Sequence, residues 1–426
     1  MTIAELYGIY RQHSSVQTDT RKLQKGDLYF ALKGPNFNGN AFAQKAIDQG
    51  AAYAVIDEPA FAIEGKTILV DDVLQTLQQL ALHHRKQFNI PFLAITGSNG
   101  KTTTKELIHI VLSTTFKTYT TEGNLNNHIG VPLTILKIKE DAEMAVIEMG
   151  ANHQKEIASY CVIALPTHGL ITNVGKAHLE GFGGEEGVRK GKGELFDFIR
   201  EHSGSIFRMN DYEYLHEMSK GIANVFTYGT KEADVVGNLV QSDPFLKMRF
   251  SKGFNGDIKT SLVGAYNLPN VLAAVAVGKK FGVSDEKIKT AIESYTPSNS
   301  RSQLVQKSSN KIILDAYNAN PSSMKAAIEN FSKAEGNTKL LVLGAMAELG
   351  AESLAEHESL VNEIAKHRWQ NVLLVGGDFL KLKHPFLSFN KPEEAGEWLQ
   401  SQNLRDSFLL IKGSRSMQME KVLNYL

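Results

Sequence analysis

An apolar run at residues 92–95 leads straight into Thr96, Gly97, Ser98, Asn99, Gly100, Lys101, Thr102 and Thr103, and a long helical pattern begins at about residue 102. Few sequence features constrain a fold so tightly. A buried strand that feeds a glycine loop and then a helix aims the loop's N–H groups and the helix N-terminus at one point, which suits a polyphosphate. Lys101 adds a point charge there, and Thr102 a hydroxyl suited to Mg²⁺. The spacing departs from the common G-x-x-x-x-G-K-[ST] pattern because position 95 is Ile. As a structural turn alone, the same residues would merely cap an amphipathic helix. Strand, loop and Lys-Thr pair in this order favour the phosphate reading, but such a loop serves many reactions and names none.

The chain around this loop has 426 residues, which at roughly 150 residues per domain implies about three domains. Residues 1–88 read as a small α/β domain, with strand patterns at 26–32 and 52–56, a helix around 40–50, and a helix at 69–87 leading out. Residues 89–297 read as a central, phosphate-loop-type ATPase domain with a parallel sheet. Its buried strands are expected at 92–95, 145–148 and 169–173, with antiparallel stretches at 245–250 and 257–263. The best linker candidate is 296–300. After it, strands at 311–315, 340–343, 372–375 and 408–411 alternate with helices, so residues 298–426 read as a Rossmann-like domain. The expected class is therefore α/β with three domains.

Charge narrows the partners. Lys plus Arg and Asp plus Glu both number 46, which leaves no overall basic field for a nucleic-acid backbone and no polybasic anchor for a lipid surface. Apolar runs such as 271–277 fall far short of the ~20 residues that cross a bilayer, and the opening residues lack the pattern of an export signal. Neither nucleic-acid binding nor membrane insertion is expected, and a cytoplasmic setting is. The single Cys161 fits a reducing compartment and reads as a core thiol.

Two further residues fall at predicted strand ends, where open parallel sheets bind ligands. Glu148 closes the strand at 145–148 and can hold Mg²⁺ directly, and His178 lies just beyond the strand at 169–173. Lys192 is harder to read. Gly191 and Gly193 flank it inside a helical pattern, at a cost of about 1 kcal/mol each relative to Ala, which points to close packing or function. A cationic amine, however, does not ligate Mg²⁺.

The order of these segments resembles the Mur ligase family over essentially the whole chain. Residues 18–34 are similar to the uridine-nucleotide-binding start of two of its branches. The loop at 97–103 resembles that of all Mur ligases and of folylpolyglutamate synthases. Residues 123–134, 148–153, 315–321 and 412–415 resemble the branch that adds D-alanyl-D-alanine, and the Asp-Asn-Pro-Arg motif expected of the amino-acid-adding branch is absent. The resemblance implies an ATP-dependent, ADP-forming ligase that joins D-alanyl-D-alanine to UDP-N-acetylmuramoyl-tripeptide in peptidoglycan synthesis. It implies that Gly97 to Thr103 bind ATP, that Thr102, Glu148 and His178 hold Mg²⁺, and that Lys192 carries CO₂ as a carbamate, an anionic ligand. Lys101, Glu148, His178 and Lys192 would be the catalytic set. It also implies that Asn267, Arg301, Asp315 and Asn318 hold the nucleotide. Thr20, Arg21, Asn124 and Asn126 would contact the UDP-sugar substrate, and Lys412, Ser414 and Arg415 the phosphate and dipeptide. Two positions depart from the pattern: Tyr266 stands where many members have His, and Ala345 where Asp is common. An amino-acid-adding or folylpolyglutamate-type ligase, and a non-catalytic ATP-binding protein, are the alternatives.

Overall fold

Three large sheets, besides one two-stranded hairpin of Lys33–Gly34 with Phe37–Asn38, organise the chain in a computed structural model that describes residues 1–13, 15–298, 300–336 and 338–426. Each large sheet is the centre of an α/β domain. Asn299, within the expected linker at 296–300, lies outside the described residues.

The first sheet is parallel throughout, with Val16–Gln17, Leu28–Phe30, Tyr53–Ile56 and Thr67–Leu69 side by side. Alternation decides its two faces. Tyr29, Ala31, Ala54 and Ile56 pack on the helix Ala43–Asp48 through Ala43 and Ala46, while Leu28, Phe30 and Val55 join the main core. The helix expected at 69–87 spans Val73–Arg85, started by Asp72, whose side chain accepts from Gln75 N. Its last residue ties the first domain to the second. Arg85 is buried, stacks over Phe92 at 3.6 Å, and donates to the carbonyls of Ala164 and Leu165 at 2.7 and 2.8 Å.

The second sheet has nine strands. Phe92–Thr96 sits between Met144–Glu148 on one side and His168–Ile171 on the other, parallel to both. The chain leaves this strand towards one edge and later returns to its other flank, so the glycine loop lies at the reversal point where such sheets bind ligands. Phe245–Lys252 and Asp257–Val263 are antiparallel as expected, and a third strand, Val235–Gln241, joins them.

The third sheet runs Gln303–Lys307, Asn310–Asp315, Phe408–Lys412, Lys339–Gly344, Asn371–Val375, Leu387–Phe389. Only its first pair is antiparallel. The ends of Asn310–Asp315 and Phe408–Lys412 meet the ends of the central strands across a seam. No helix among the described residues is long and apolar enough to cross a membrane.

Candidate active site

A cavity of about 1050 Å³ opens at that seam, lined from both the central and the C-terminal domain. Its floor is the phosphate loop. Gly97 has φ +141° and a Cβ there would lie 2.0 Å from Thr172 Oγ1; Gly100 has φ +78° and a Cβ there would lie 2.5 Å from Asn270 Oδ1. Only glycine fits either place. Asn173 holds the loop between them, accepting from Asn99 N at 3.0 Å and donating to Asn99 O at 3.0 Å. The helix Lys101–Ser113 starts without a side-chain cap, so its first N–H groups remain for an anion.

Cations and a carboxylate converge above the loop. Lys101 folds back, its Nζ donating to Gly97 O at 2.7 Å and Ser98 O at 3.3 Å. Burial lowers its pKa, and Arg301 adds to the effect while Glu148 opposes it. Glu148 is 1% exposed. Its Oε1 accepts from Thr102 Oγ1 at 3.1 Å and Asn126 Nδ2 at 2.8 Å, but its Oε2 is buried with no partner among the described residues. An orphaned buried carboxylate oxygen is costly unless a cation completes it.

Lys192 lies behind the cavity wall in the helix Glu185–Glu201, 1% exposed. Its Nζ donates to Ala151 O at 3.0 Å and sits 4.7 Å from the centre of the Phe182 ring. Burial, then the charge of Lys101, pulls its pKa well below the ordinary lysine value. The glycines of this helix divide by role. A Cβ at Gly187 would lie 1.9 Å from Phe182 O and one at Gly191 2.4 Å from Phe182 Cε1, whereas Gly193 would meet only Met218 Cε at 3.5 Å. Packing against Phe182 thus accounts for Gly187 and Gly191, not for Gly193.

His178, at φ +54°, meets the C-terminal domain at Glu348. Its Nδ1 lies 2.5 Å from Glu348 Oε2, a short polar contact whose angles are not those of an aligned hydrogen bond. The contact with His178 lowers the pKa of the Glu348 carboxyl. From the same domain, Arg301 stacks over Tyr317 at 3.6 Å, and Asp315 accepts from Lys412 Nζ at 2.6 Å and Ser302 N at 3.2 Å. Lys412 Nζ also donates to Asn318 O at 3.2 Å. Tyr266 lines the cavity with its hydroxyl 3.0 Å from Ser302 Oγ and offers an aromatic face there.

The lining therefore gathers Ser98 to Thr103, Asn124, Asn126, Glu148, His178, Asn267, Arg301, Asp315, Asn318 and Lys412. Gly97 and Lys192 support it from behind. Four expected residues are elsewhere. Thr20 and Arg21 form a short turn of the first domain, with Arg21 exposed and paired to Asp19 at 2.8 Å. Ser414 is buried and donates to Ala345 O, and Arg415 points outward to Glu420 at 2.6 Å. Three residues escaped the sequence reading: Asn173, Glu348, and Asn320, which donates to Asn99 Oδ1 at 2.8 Å. For Asn320 a signal existed, since Asn before Pro321 is a helix-start pattern. For Glu348 there was none.

Family models for the Mur ligase family catalytic domain, the Mur ligase middle domain, and the Mur ligase glutamate ligase domain match residues 13–85, 95–278 and 300–415. The chain belongs to the Mur ligase family. It is 35% identical to the UDP-N-acetylmuramoyl-tripeptide–D-alanyl-D-alanine ligase of Escherichia coli over 99% of this chain and 95% of that protein. A crystal structure of MurF from Acinetobacter baumannii superposes with TM-score 0.88 at 30% identity, over 96% of this chain and 92% of that one. MurF of Thermotoga maritima in complex with ADP gives 0.85 at 27% identity, over 96% of each chain.

Proposed function

We propose that this chain joins D-alanyl-D-alanine to UDP-N-acetylmuramoyl-tripeptide with cleavage of ATP to ADP and phosphate, in the cytoplasm where ATP is supplied. The observation that carries this reading is the convergence of phosphate loop, Lys101, Arg301 and Glu148 in one cavity of a chain whose relatives bear that activity in their names. The division into residues 1–88, 89–297 and 298–426 belongs to the same reading and is supported by the three large, separate sheets.

A carboxylate does not form an amide at neutral pH, because oxide is too poor a leaving group. The tripeptide carboxylate therefore takes the γ-phosphoryl group of ATP to give an acyl phosphate and ADP; the free amine of D-alanyl-D-alanine then attacks the carbonyl, loses a proton, and expels phosphate. Lys101, Arg301 and the first N–H groups of the helix Lys101–Ser113 offset the negative charge that gathers at the phosphoryl group. Closing the seam excludes water that would hydrolyse the acyl phosphate.

The residues present suit a divalent cation. Among the described residues Glu148 Oε2 lacks any partner, and Thr102 and His178 are in the same cavity. Among the described residues no three His, Cys, Asp or Glu side chains cluster as a complete metal site, so phosphate oxygens and a modified Lys192 would have to supply further ligands. When bound, Mg²⁺ would neutralise charge on the transferring phosphoryl group. Lys192 is prepared for modification: only an unprotonated amine attacks CO₂, forming N–C and releasing one proton to leave a carbamate, and burial disfavours the protonated form. Thr20, Arg21, Asn124 and Asn126 are proposed for the UDP-sugar, and Ser414 and Arg415 for the dipeptide only indirectly, through the loop they support.

The test is ADP release by the purified chain. Sustained turnover is expected only with ATP, Mg²⁺, UDP-N-acetylmuramoyl-tripeptide and D-alanyl-D-alanine together, tried with both diaminopimelate and lysine tripeptides. Equal use of a single amino acid would remove the reading.

A further inference from the structure

We propose that Glu348 is a positioning residue: by holding Nδ1 of His178 it leaves Nε2 for the divalent cation, so that the cation site is finished only when the C-terminal domain lies against the central one. The inference rests on the metal reading above. A carboxylate oxygen 2.5 Å from Nδ1 would repel a lone pair there, so the contact, although not an aligned hydrogen bond, favours the tautomer with its proton on Nδ1 and a lone pair on Nε2. Metal-binding histidines commonly owe their orientation to such a partner. Here the partner comes from another domain.

The approach is built on both sides. His178 has φ +54° and Glu348 φ +62°, two non-glycine residues in the left-handed region, tip to tip across the seam. Such backbone is strained and persists where the surroundings hold it. The loop bearing Glu348 is held from within its own domain. Ala345 N donates to Val375 O at 3.0 Å, Ser414 Oγ to Ala345 O, and Met346 N to His357 Nε2 at 3.0 Å. His357 is itself fully buried, with Nδ1 2.7 Å from Ser353 O. Across the seam Glu180 N donates to Glu348 O at 3.4 Å, and a Cβ at Gly350 would come within 3.0 Å of Glu180 Cβ. Among the ion pairs of the described residues, Glu348 has His178 as its one partner.

The experiment is a Mn²⁺ titration followed by EPR on the full chain with a non-hydrolysable ATP analogue, alongside ¹⁵N-histidine NMR. Glu348→Ala should weaken Mn²⁺ roughly ten- to a hundredfold and shift His178 away from its Nδ1–H tautomer. Glu348→Gln, still able to accept a hydrogen bond, should fall between. Glu356→Gln removes a different contact at the same seam, the ion pair to Lys176 at 2.7 Å, and should leave Mn²⁺ affinity within about twofold. Wild-type affinity in folded Glu348→Ala would overturn the proposal, and so would an equal loss in Glu356→Gln, which would make Glu348 a closure contact only. Absence of a nucleotide-dependent Mn²⁺ site in the wild type would overturn the metal reading itself.

Discussion

Two lysines are buried beside the same cavity, one on each side of the seam, and they are treated in opposite ways. Lys412 is 2% exposed and has Asp315 at 2.6 Å and a carbonyl at 3.2 Å. Lys192 is 1% exposed and has a carbonyl and the face of a phenyl ring, and among the described residues no carboxylate forms an ion pair with it. A buried charge with its counter-charge is a structural joint, whereas a buried amine without one is pushed towards its neutral, nucleophilic form. On the function proposed above, the contrast separates a structural joint at Lys412 from an amine at Lys192 that is free to take up CO₂.

The largest effect should come from removing the reactive one. Lys192→Ala is expected to lower turnover by about 10³-fold or more, roughly 4 kcal/mol of transition-state stabilisation, while the protein stays folded. Acetate or formate should restore part of the rate of ADP release. A variant that simply unfolds, or one with normal turnover, would erase the contrast. Lys412→Met should do the reverse, costing about 3 kcal/mol in urea denaturation because it strands the Asp315 carboxylate. Adding Asp315→Asn should recover much of that loss; if it does not, Lys412 and Asp315 do not act as a pair.

The same contrast has a pH signature. Because the folded-state pKa of Lys192 is depressed, the unfolded chain binds the extra proton at pH values between that pKa and the ordinary ~10.4, so stability rises with pH across this window. The slope from this one group is at most about 1.4 kcal/mol per pH unit. Denaturation in CO₂-free buffer should show a steeper rise in the wild type than in Lys192→Met, which keeps the contribution of Lys101, whose pKa is also lowered. The smallest effects concern the seat of Lys192. Gly191→Ala must displace the Phe182 ring and should cost about 1 kcal/mol net of its gain in helix propensity, whereas Gly193→Ala should gain up to about 1 kcal/mol. Thermal melts of the two variants moving the same way would show that Phe182 does not define the seat.

What the sequence reveals depends on whether partners are neighbours along the chain. The glycine loop is contiguous, so strand, turn and helix could be read together, and Glu148 follows from its place at a strand end. Val235–Gln241 and Gln303–Lys307 went unread because these flanking strands are only partly buried and lack a continuous apolar run. Ser414 and Arg415 share a motif with Lys412, yet only Lys412 lines the cavity, since the chain turns away into Arg415–Met417. Glu348 pairs with a residue 170 positions earlier, a meeting created by the seam alone.

Asn320 spends its two ends in two domains: its Oδ1 accepts from Ser323 N at 2.9 Å to begin the helix Pro321–Lys333, and its Nδ2 donates to Asn99 of the phosphate loop. The first turn of that helix and the glycine loop thus share one side chain. Amide protons in both segments should exchange with solvent as a coupled unit, so a nucleotide that stills the loop also slows exchange at Ser323, a reporter that reads occupancy of the central domain from the C-terminal one.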